Sequence, residues 1–195
     1  MWVGSTMSIV WYTGTIVIAI EGMTPVHFAF SVPLFIKGLG GLKNVLVVAE
    51  KLAGSHEGGE ASVLSTRLAS DMFPLVRQIQ IACDQAKGAA ARLTGTEIPV
   101  YPDTETTIAE LTSRIDRTIG FLESMQPAAF EGAGEREVRL PYFPEHHFLG
   151  DVYLKEYALP NFYFHVTTAY DIVRMLGGNL QKRDFLNGVT LVTNI

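Results

Sequence analysis

The chain has 195 residues, of which 48% are hydrophobic and 18% are charged, and its formal net charge is −5. This composition fits one globular domain and excludes a disordered chain, while the acidic balance argues against nucleic acid and membrane partners. A single cysteine, Cys83, allows no disulfide within the chain, so we expect a cytoplasmic protein.

The N-terminal part carries an apolar stretch, IVWYTGTIVIAI, at residues 9–20. It is shorter than the roughly 20 residues of a membrane span, and no positive charge precedes it, as a secretory signal would require. Its β-branched residues are typical of a strand or of an apolar disordered arm; a cryptic signal or anchor is the alternative. We predict that residues 1–22 extend ahead of a core domain at 23–188, with 189–195 as a C-terminal tail.

The first predicted helix covers residues 26–53, where apolar side chains recur at spacings of three and four. Pro33 lies inside this segment, so the helix either starts near it or is kinked. Gly38, Gly40 and Gly41 either weaken the helix or allow another helix to approach closely.

The second predicted helix covers residues 70–94. Ser70 and Asp71 are favourable capping residues, and Pro74 then falls in the first turn, where proline costs little. Gly95 is a typical residue to end a helix. The alanine-rich second half of the segment predicts tight contact with another helix.

Two more helices are predicted at residues 107–124 and 151–176. Between them, the alternation at residues 137–140 fits a short strand, so a small hairpin or an ordered loop is expected there. Arg114 is expected on the solvent side of the first of these helices. Pro160 is expected to break or kink the second. Four amphipathic helices in one domain predict an all-α, antiparallel four-helix bundle.

Asn161 and His165 are four residues apart and therefore share one face of the last helix, which is otherwise apolar. A buried polar group without a partner costs about 1–3 kcal/mol, so both side chains need partners. A metal ion, a small molecule or a hydrogen bond from the second helix could each supply one. The alternative is a core histidine paired with a neighbouring protein group.

The second helix carries two polar side chains, Gln80 and Asp84, at the border of its apolar face. Either could reach His165 if the two helices are neighbours. Asp84 could orient the imidazole or share a cation with it. The alternative is a surface ion pair of Asp84 with Lys87 or Arg77.

Three further features are weaker candidates. Cys83 lies on the apolar face of the second helix and is expected to be an inert buried thiol. His146 and His147 could hold a metal or could be solvated loop residues. Tyr163 belongs to an aromatic cluster around His165 that could wall a pocket as well as fill the core.

Several long strings in this chain resemble the DUF1993 family. They are LASDMFPL, RQIQIA and DQAKGAAARL in the second helix, LPNFYFHVTTAYDI in the last helix, and KRDFL at residues 182–186. The resemblance spans residues 23–188. It implies membership of the DinB/YfiT-like superfamily, whose fold is a four-helix bundle with up-down-down-up topology.

The same resemblance implies a divalent metal, nickel or zinc, held by three histidines, one on the second helix and two in an H-x-x-x-H pair on the last. It also implies thiol-dependent transferase or isomerase activity in some relatives, and dimers in many. In this chain His165 matches the second histidine of the pair, and Asn161 stands at the first. The second helix has no histidine, and Gln80 and Asp84 are its nearest polar candidates.

The sequence therefore predicts a protein that binds a small ligand in a polar pocket around Asn161, His165, Asp84, Gln80 and Tyr163, with the metal site of the superfamily largely lost. One alternative is a divalent-metal enzyme of the DinB-like thiol transferase type, which would use His165 and Asp84 as ligands. The other is a dimeric structural or interaction protein without catalysis. A homodimer is the expected assembly.

Overall fold

The structure is a computed structural model that describes residues 7–12, 15–20 and 24–191. Parts of the predicted N-terminal extension and C-terminal tail lie outside these residues. In the apolar N-terminal stretch, β1 (Met7–Tyr12) and β2 (Thr15–Ile20) pair antiparallel, with Met7 opposite Ile20 and Tyr12 opposite Thr15. The stretch was predicted to be a strand or an apolar disordered arm, and the structure shows strands.

The rest of the described chain is mainly helical. Its helices are α1 (Val26–Ala29), α2 (Val32–Ala53), α3 (Gly59–Ser65), α4 (Leu75–Thr94), α5 (Ile108–Glu123), α6 (Gly150–Val152), α7 (Leu159–Met175) and α8 (Lys182–Leu186). A π-helical turn (Tyr153–Ala158) joins α6 to α7. Between α5 and α6, two 3₁₀ turns precede β3 (Glu137–Val138) and β4 (Phe148–Leu149), which pair antiparallel as the expected small hairpin.

Four long helices form the bundle. Helix α2 packs against α5 and α7, and α4 packs against the same two, so α2 and α4 occupy diagonal positions. The contact between α4 and α7 is the most extensive between any two of these helices. The all-α four-helix bundle is thus confirmed, while the up-down-down-up order of helix directions stays a prediction.

The stretch Val26–Ala53 is long and apolar enough to cross a membrane by length and composition. Half of its most apolar window, 50%, is nevertheless buried inside the protein. A core helix of a bundle passes the same test, because burying one face requires the same apolar residues. Helix α2 is such a core helix, with Phe35, Leu39 and Leu42 fully buried.

The first predicted helix is interrupted near its start. Helix α1 ends at Ala29 and α2 begins at Val32, with Pro33 in its first turn, where the missing N–H is not needed. Gly41 faces α8, and a Cβ there would lie 2.6 Å from the carbonyl oxygen of Phe185. Close approach of another helix therefore accounts for this glycine.

The second predicted helix starts later than expected. Helix α4 begins at Leu75, and Pro74 is its N-cap with an extended backbone. The start expected at Ser70 was wrong because proline disfavours the helical conformation of the residue before it. Phe73 is consequently outside the helix, and its carbonyl is free to accept a hydrogen bond from a side chain.

The last helix does not break at Pro160. The π-helical turn ends at Ala158 and α7 continues from Leu159, with Pro160 in its first turn. The hydrogen bonds of a π-helical turn already depart from the regular α-helical pattern. A proline directly after it therefore disrupts fewer α-helical hydrogen bonds. Tyr157 before Pro160 and Asn161 and His165 after it line the same cavity.

Arg114 is buried, contrary to the expectation of a solvent-facing position. The loop before α5 folds over it: Arg114 Nη1 donates to Glu105 Oε1 (3.0 Å) and Nη2 donates to Asp84 Oδ1 (2.9 Å). Burial raises the pKa of Glu105, but hydrogen bonds from Arg114, the backbone and Gln80 outweigh it and lower the pKa overall. The spacing of apolar residues in α5 could not reveal that an acidic loop covers this arginine.

We expect Arg114→Met to destabilise the protein by about 3–5 kcal/mol, because it removes the buried cation that is hydrogen-bonded to the carboxylate of Glu105, which is only 6% exposed. The matched control is Arg117→Met, where the arginine is 51% exposed and the expected cost is below about 1 kcal/mol. Urea denaturation of both variants measures the difference. Equal, small losses would show that the Arg114 network contributes little to stability.

Candidate functional site

The described part of the chain has several cavities of a size that could hold a small molecule, and two of them are the main candidates. One, of about 370 Å³, lies beside α1 and is lined mostly by apolar groups such as Val26 and Phe30. The other, of about 460 Å³, lies beside α4 and α7 and combines aromatic walls with several polar groups. An apolar pocket with a few convergent polar groups is typical of ligand sites, so the second cavity is the candidate functional site.

The cavity is built by the periodicity of two helices. Helix α4 contributes residues at turn-like spacings, and the π-helical turn and α7 contribute residues at spacings of four, so each set lies on one face. Phe73, just before α4, and Tyr142, in the loop between β3 and β4, complete the wall. The lining residues are Phe73, Arg77, Ile81, Asp84, Gln85, Tyr142, Tyr157, Asn161 and His165.

His165 is buried at the α4–α7 contact and is held by Gln78. His165 Nδ1 lies 2.7 Å from Gln78 Oε1, and Gln78 Nε2 donates to the Phe73 carbonyl oxygen at 2.9 Å. Because a carbonyl oxygen can only accept, the Gln78 amide has one orientation, with Oε1 toward the histidine. Nδ1 must then carry the proton, and Nε2 is left with a lone pair.

The environment keeps this imidazole neutral. Burial, with a smaller contribution from the nearby Arg77 charge, lowers the pKa of His165 from 6.5 to about 4. Nε2 makes no hydrogen bond to any of the described residues, and His165 lines the cavity. The nitrogen is therefore a hydrogen-bond acceptor available to a ligand at neutral pH.

Arg77 places a positive charge at the cavity. Its Nη1 donates to Gln80 Oε1 (2.7 Å) and to Asp103, and its guanidinium lies 5.9 Å from the centre of the Phe73 ring. These contacts fix the side chain against the cavity wall. Arg77 was considered in the sequence only as a surface partner of Asp84, and it is not within ion-pair distance of that carboxylate among the described contacts.

Asp84 lies in the cavity wall but does not contact His165. Its Oδ1 is shared by Arg114 Nη2 at 2.9 Å and Lys87 Nζ at 3.0 Å. The pair with Lys87 is present, but Lys87 is buried and the pair does not lie on the surface as the alternative had it. The buried Arg114 adds a second cation. Asp84 is therefore committed to two positive charges and does not orient the imidazole.

Two predicted pocket residues, Gln80 and Tyr163, are not among the described residues that line this cavity. Gln80 turns toward the loop before α5, where its Nε2 donates to Glu105 Oε2 at 2.9 Å. Tyr163 is two residues from both Asn161 and His165, so it faces α2, close to Gly38. The side chain of α4 that hydrogen-bonds to His165 is Gln78, and not Gln80.

The weaker candidates also lie away from the cavity wall. Cys83 is fully buried, and burial raises the pKa of its thiol to about 12, so the thiol stays protonated. His146 is exposed, and His147 lies 3.9 Å from Glu137 near the small hairpin. Neither histidine is among the described lining residues.

The donors at the cavity do not fit a transition metal. Among the described residues, no three His, Cys, Asp or Glu side chains come together to hold a metal ion. His165 offers one imidazole nitrogen, and Asp84 is engaged by two cations. Nickel and zinc favour several imidazole or thiolate donors, which this arrangement does not supply.

Comparison with known proteins gives the family. The DUF1993 family, described as a domain of unknown function, matches residues 28–186. The chain belongs to the DUF1993 family. A crystal structure of a DinB family member from Shewanella denitrificans is similar, with a TM-score of 0.81, 37% sequence identity, and coverage of 86% of this chain and 95% of that chain. No curated protein matches the sequence.

Sequence reasoning on this DUF1993 protein missed Gln78, Arg77 and Tyr142 as parts of the site. Gln78 could have been found from the rule that a buried histidine needs a partner on the neighbouring helix. Its role also depends on the free carbonyl of Phe73, which was hidden by the expected helix start at Ser70. Tyr142 lies in the loop between β3 and β4, whose path the sequence does not indicate.

The lowered pKa of His165 predicts acid sensitivity of this DUF1993 protein. Between pH 6.5 and about 4 the unfolded chain binds a proton at His165 that the folded chain does not, so stability falls as the pH falls. The loss reaches on the order of 3 kcal/mol. Denaturant unfolding across this range should show that His165→Gln removes this part of the pH dependence.

The control for that measurement is His146→Gln, which changes an exposed histidine and should keep the pH dependence of the unmodified chain. Parallel pH curves for the unmodified chain and His165→Gln would contradict the assignment of a neutral, buried imidazole.

Proposed function

We propose that this protein binds a small organic ligand in the cavity beside α4 and α7, and that it does so without the metal site of the wider superfamily. The observation that carries the proposal is the presentation of His165 Nε2, an unpaired acceptor, at a cavity of about 460 Å³. An acceptor that faces a cavity and has no partner among the described protein groups can orient a ligand that carries a donor.

The composition of the wall supports an organic ligand. Phe73, Ile81, Tyr142 and Tyr157 supply flat apolar surface, which favours a ring or another apolar group. Asn161 is half-buried and lines the same wall as His165, so its amide adds one donor and one acceptor. A few fixed polar groups among apolar walls select an orientation as well as a chemical class.

The loss of the metal site is supported by the donor set. Asn161 occupies the position of one expected histidine ligand, and α4 supplies no histidine. Asp84 Oδ1 is already held by Arg114 and Lys87, and a carboxylate paired with two cations is a weaker ligand for a metal ion. These residues favour a neutral polar pocket over a metal centre.

The test is thermal unfolding of the purified chain with a library of small organic molecules, and separately with nickel, zinc or manganese. A ligand present at ten times its Kd should stabilise the folded protein by about 1.4 kcal/mol. We expect organic ligands that raise Tm in the unmodified chain but not in His165→Ala or Asn161→Ala, and no shift with metal. His146→Ala is the matched control and should keep the shift.

Two outcomes would contradict the proposal. Stoichiometric metal in the purified protein, with stabilisation lost in His165→Ala, would support the divalent-metal enzyme. No stabilisation by any compound or metal, together with a homodimer in solution, would support the structural or interaction protein.

A further inference from the structure

The Arg77 guanidinium has N–H donors without a hydrogen-bond partner among the described residues. Of its three nitrogens, Nη1 bonds to Gln80 and Asp103, while Nε and Nη2 have no hydrogen-bond partner among the described residues. An arginine side chain carries five N–H donors, so three are left for another group. Guanidinium donors in this fork arrangement match a carboxylate or phosphate.

Asp84, the carboxylate in the cavity wall, does not cancel this charge. Its Oδ1 is held by two cations, and the wider network around it contains four cations and three carboxylates within the described chain: Arg77, Lys87, Arg114 and Arg117 against Asp84, Asp103 and Glu105. Arg117 lies outside the described cavity wall, and without it the network is neutral, so the charge offered to the cavity is the Arg77 guanidinium, whose Nε and Nη2 have no hydrogen-bond partner among the described residues. A negative ligand is favoured over a positive one.

His165 sets a second requirement for the ligand, in addition to a negative charge. Gln78 holds the proton on Nδ1, so Nε2 accepts a hydrogen bond and cannot donate one. A ligand group that only accepts, such as an ether oxygen or a second carboxylate, would face a lone pair there. The matching ligand group is a hydroxyl or an amide N–H.

We infer that the cavity takes a small organic acid with an apolar or aromatic body, which places its anionic group at Arg77 and donates a hydrogen bond to His165 Nε2. The inference rests on the proposed function and names the class of ligand for it. The aromatic wall formed by Phe73, Tyr142 and Tyr157 accommodates the body of such a molecule.

Three size-matched probes separate the two requirements. The compound 4-hydroxyphenylacetate has the anion and the donor, 4-methoxyphenylacetate has only the anion, and tyramine has the donor with a positive charge. We expect the hydroxy acid to bind with a Kd about tenfold lower than that of either other probe. Calorimetry or NMR titration of the full chain measures the three values.

Variants assign each preference to its residue. Arg77→Gln should abolish the preference for the acid over tyramine, whereas Arg77→Lys should retain it because the charge is kept. His165→Phe should abolish the preference for the hydroxy acid over the methoxy acid. Arg117→Gln, at an exposed arginine outside the described cavity wall, is the matched control and should leave both preferences unchanged.

Equal binding of tyramine and the hydroxy acid, or preferences unaffected by the Arg77 and His165 variants, would overturn the inference. Absence of binding by the hydroxy acid at millimolar concentration would also overturn it. If neutral or cationic molecules from the library still stabilise the protein through His165, the proposed function stands and only the ligand class is wrong. If nothing stabilises it, both fail.

Discussion

The hydrogen bond between Gln78 and His165 is the constraint on which the site depends. It lies where α4 and α7 make their most extensive contact, and it joins two buried polar side chains at 2.7 Å. Leaving either of them unpaired would cost about 1–3 kcal/mol, so the bond favours one relative placement of the helices. The Phe73 carbonyl fixes the amide, the amide fixes the imidazole, and the imidazole then offers a defined acceptor to the cavity.

A charge network supports this arrangement from the other side of α4. Arg114 is fully buried, and its two terminal nitrogens pair with Asp84 of α4 and with Asp103 and Glu105 of the loop before α5, whereas its Nε has no hydrogen-bond partner among the described residues. The same network engages Asp84 and positions Arg77 at the cavity. Stability and ligand chemistry are therefore linked. The ion pairs that hold the loop on the bundle belong to the same network that pairs Asp84, the carboxylate in the cavity wall, with two cations.

The helices and the inward position of His165 could be predicted from the sequence, because apolar spacing reports directly which face of a helix is buried. The contacts between individual side chains could not be predicted in this way. Arg114 is buried between α4 and the loop before α5, and apolar spacing does not report how that loop folds back over it. Gln78 and Gln80 are both polar residues of α4, and the choice between them depends on the rotation of α4, which its late start at Leu75 helps to define. Tyr163 was predicted as a pocket residue from its proximity to His165 in sequence, and Gln80 from its position at the border of the apolar face of α4. Neither criterion shows which way the side chain turns, and Gln80 turns toward Glu105.

The most direct test of this account is the tautomer of His165, measured from the ¹⁵N NMR signals of its ring at neutral pH. The account predicts a neutral ring with the proton on Nδ1 and an unprotonated Nε2, and it predicts that Gln78→Leu removes the preference for this tautomer. A ring with its proton on Nε2, or an imidazolium at neutral pH, would contradict the hydrogen-bond chain from Phe73 through Gln78 and with it the acceptor on which the proposed ligand site is built.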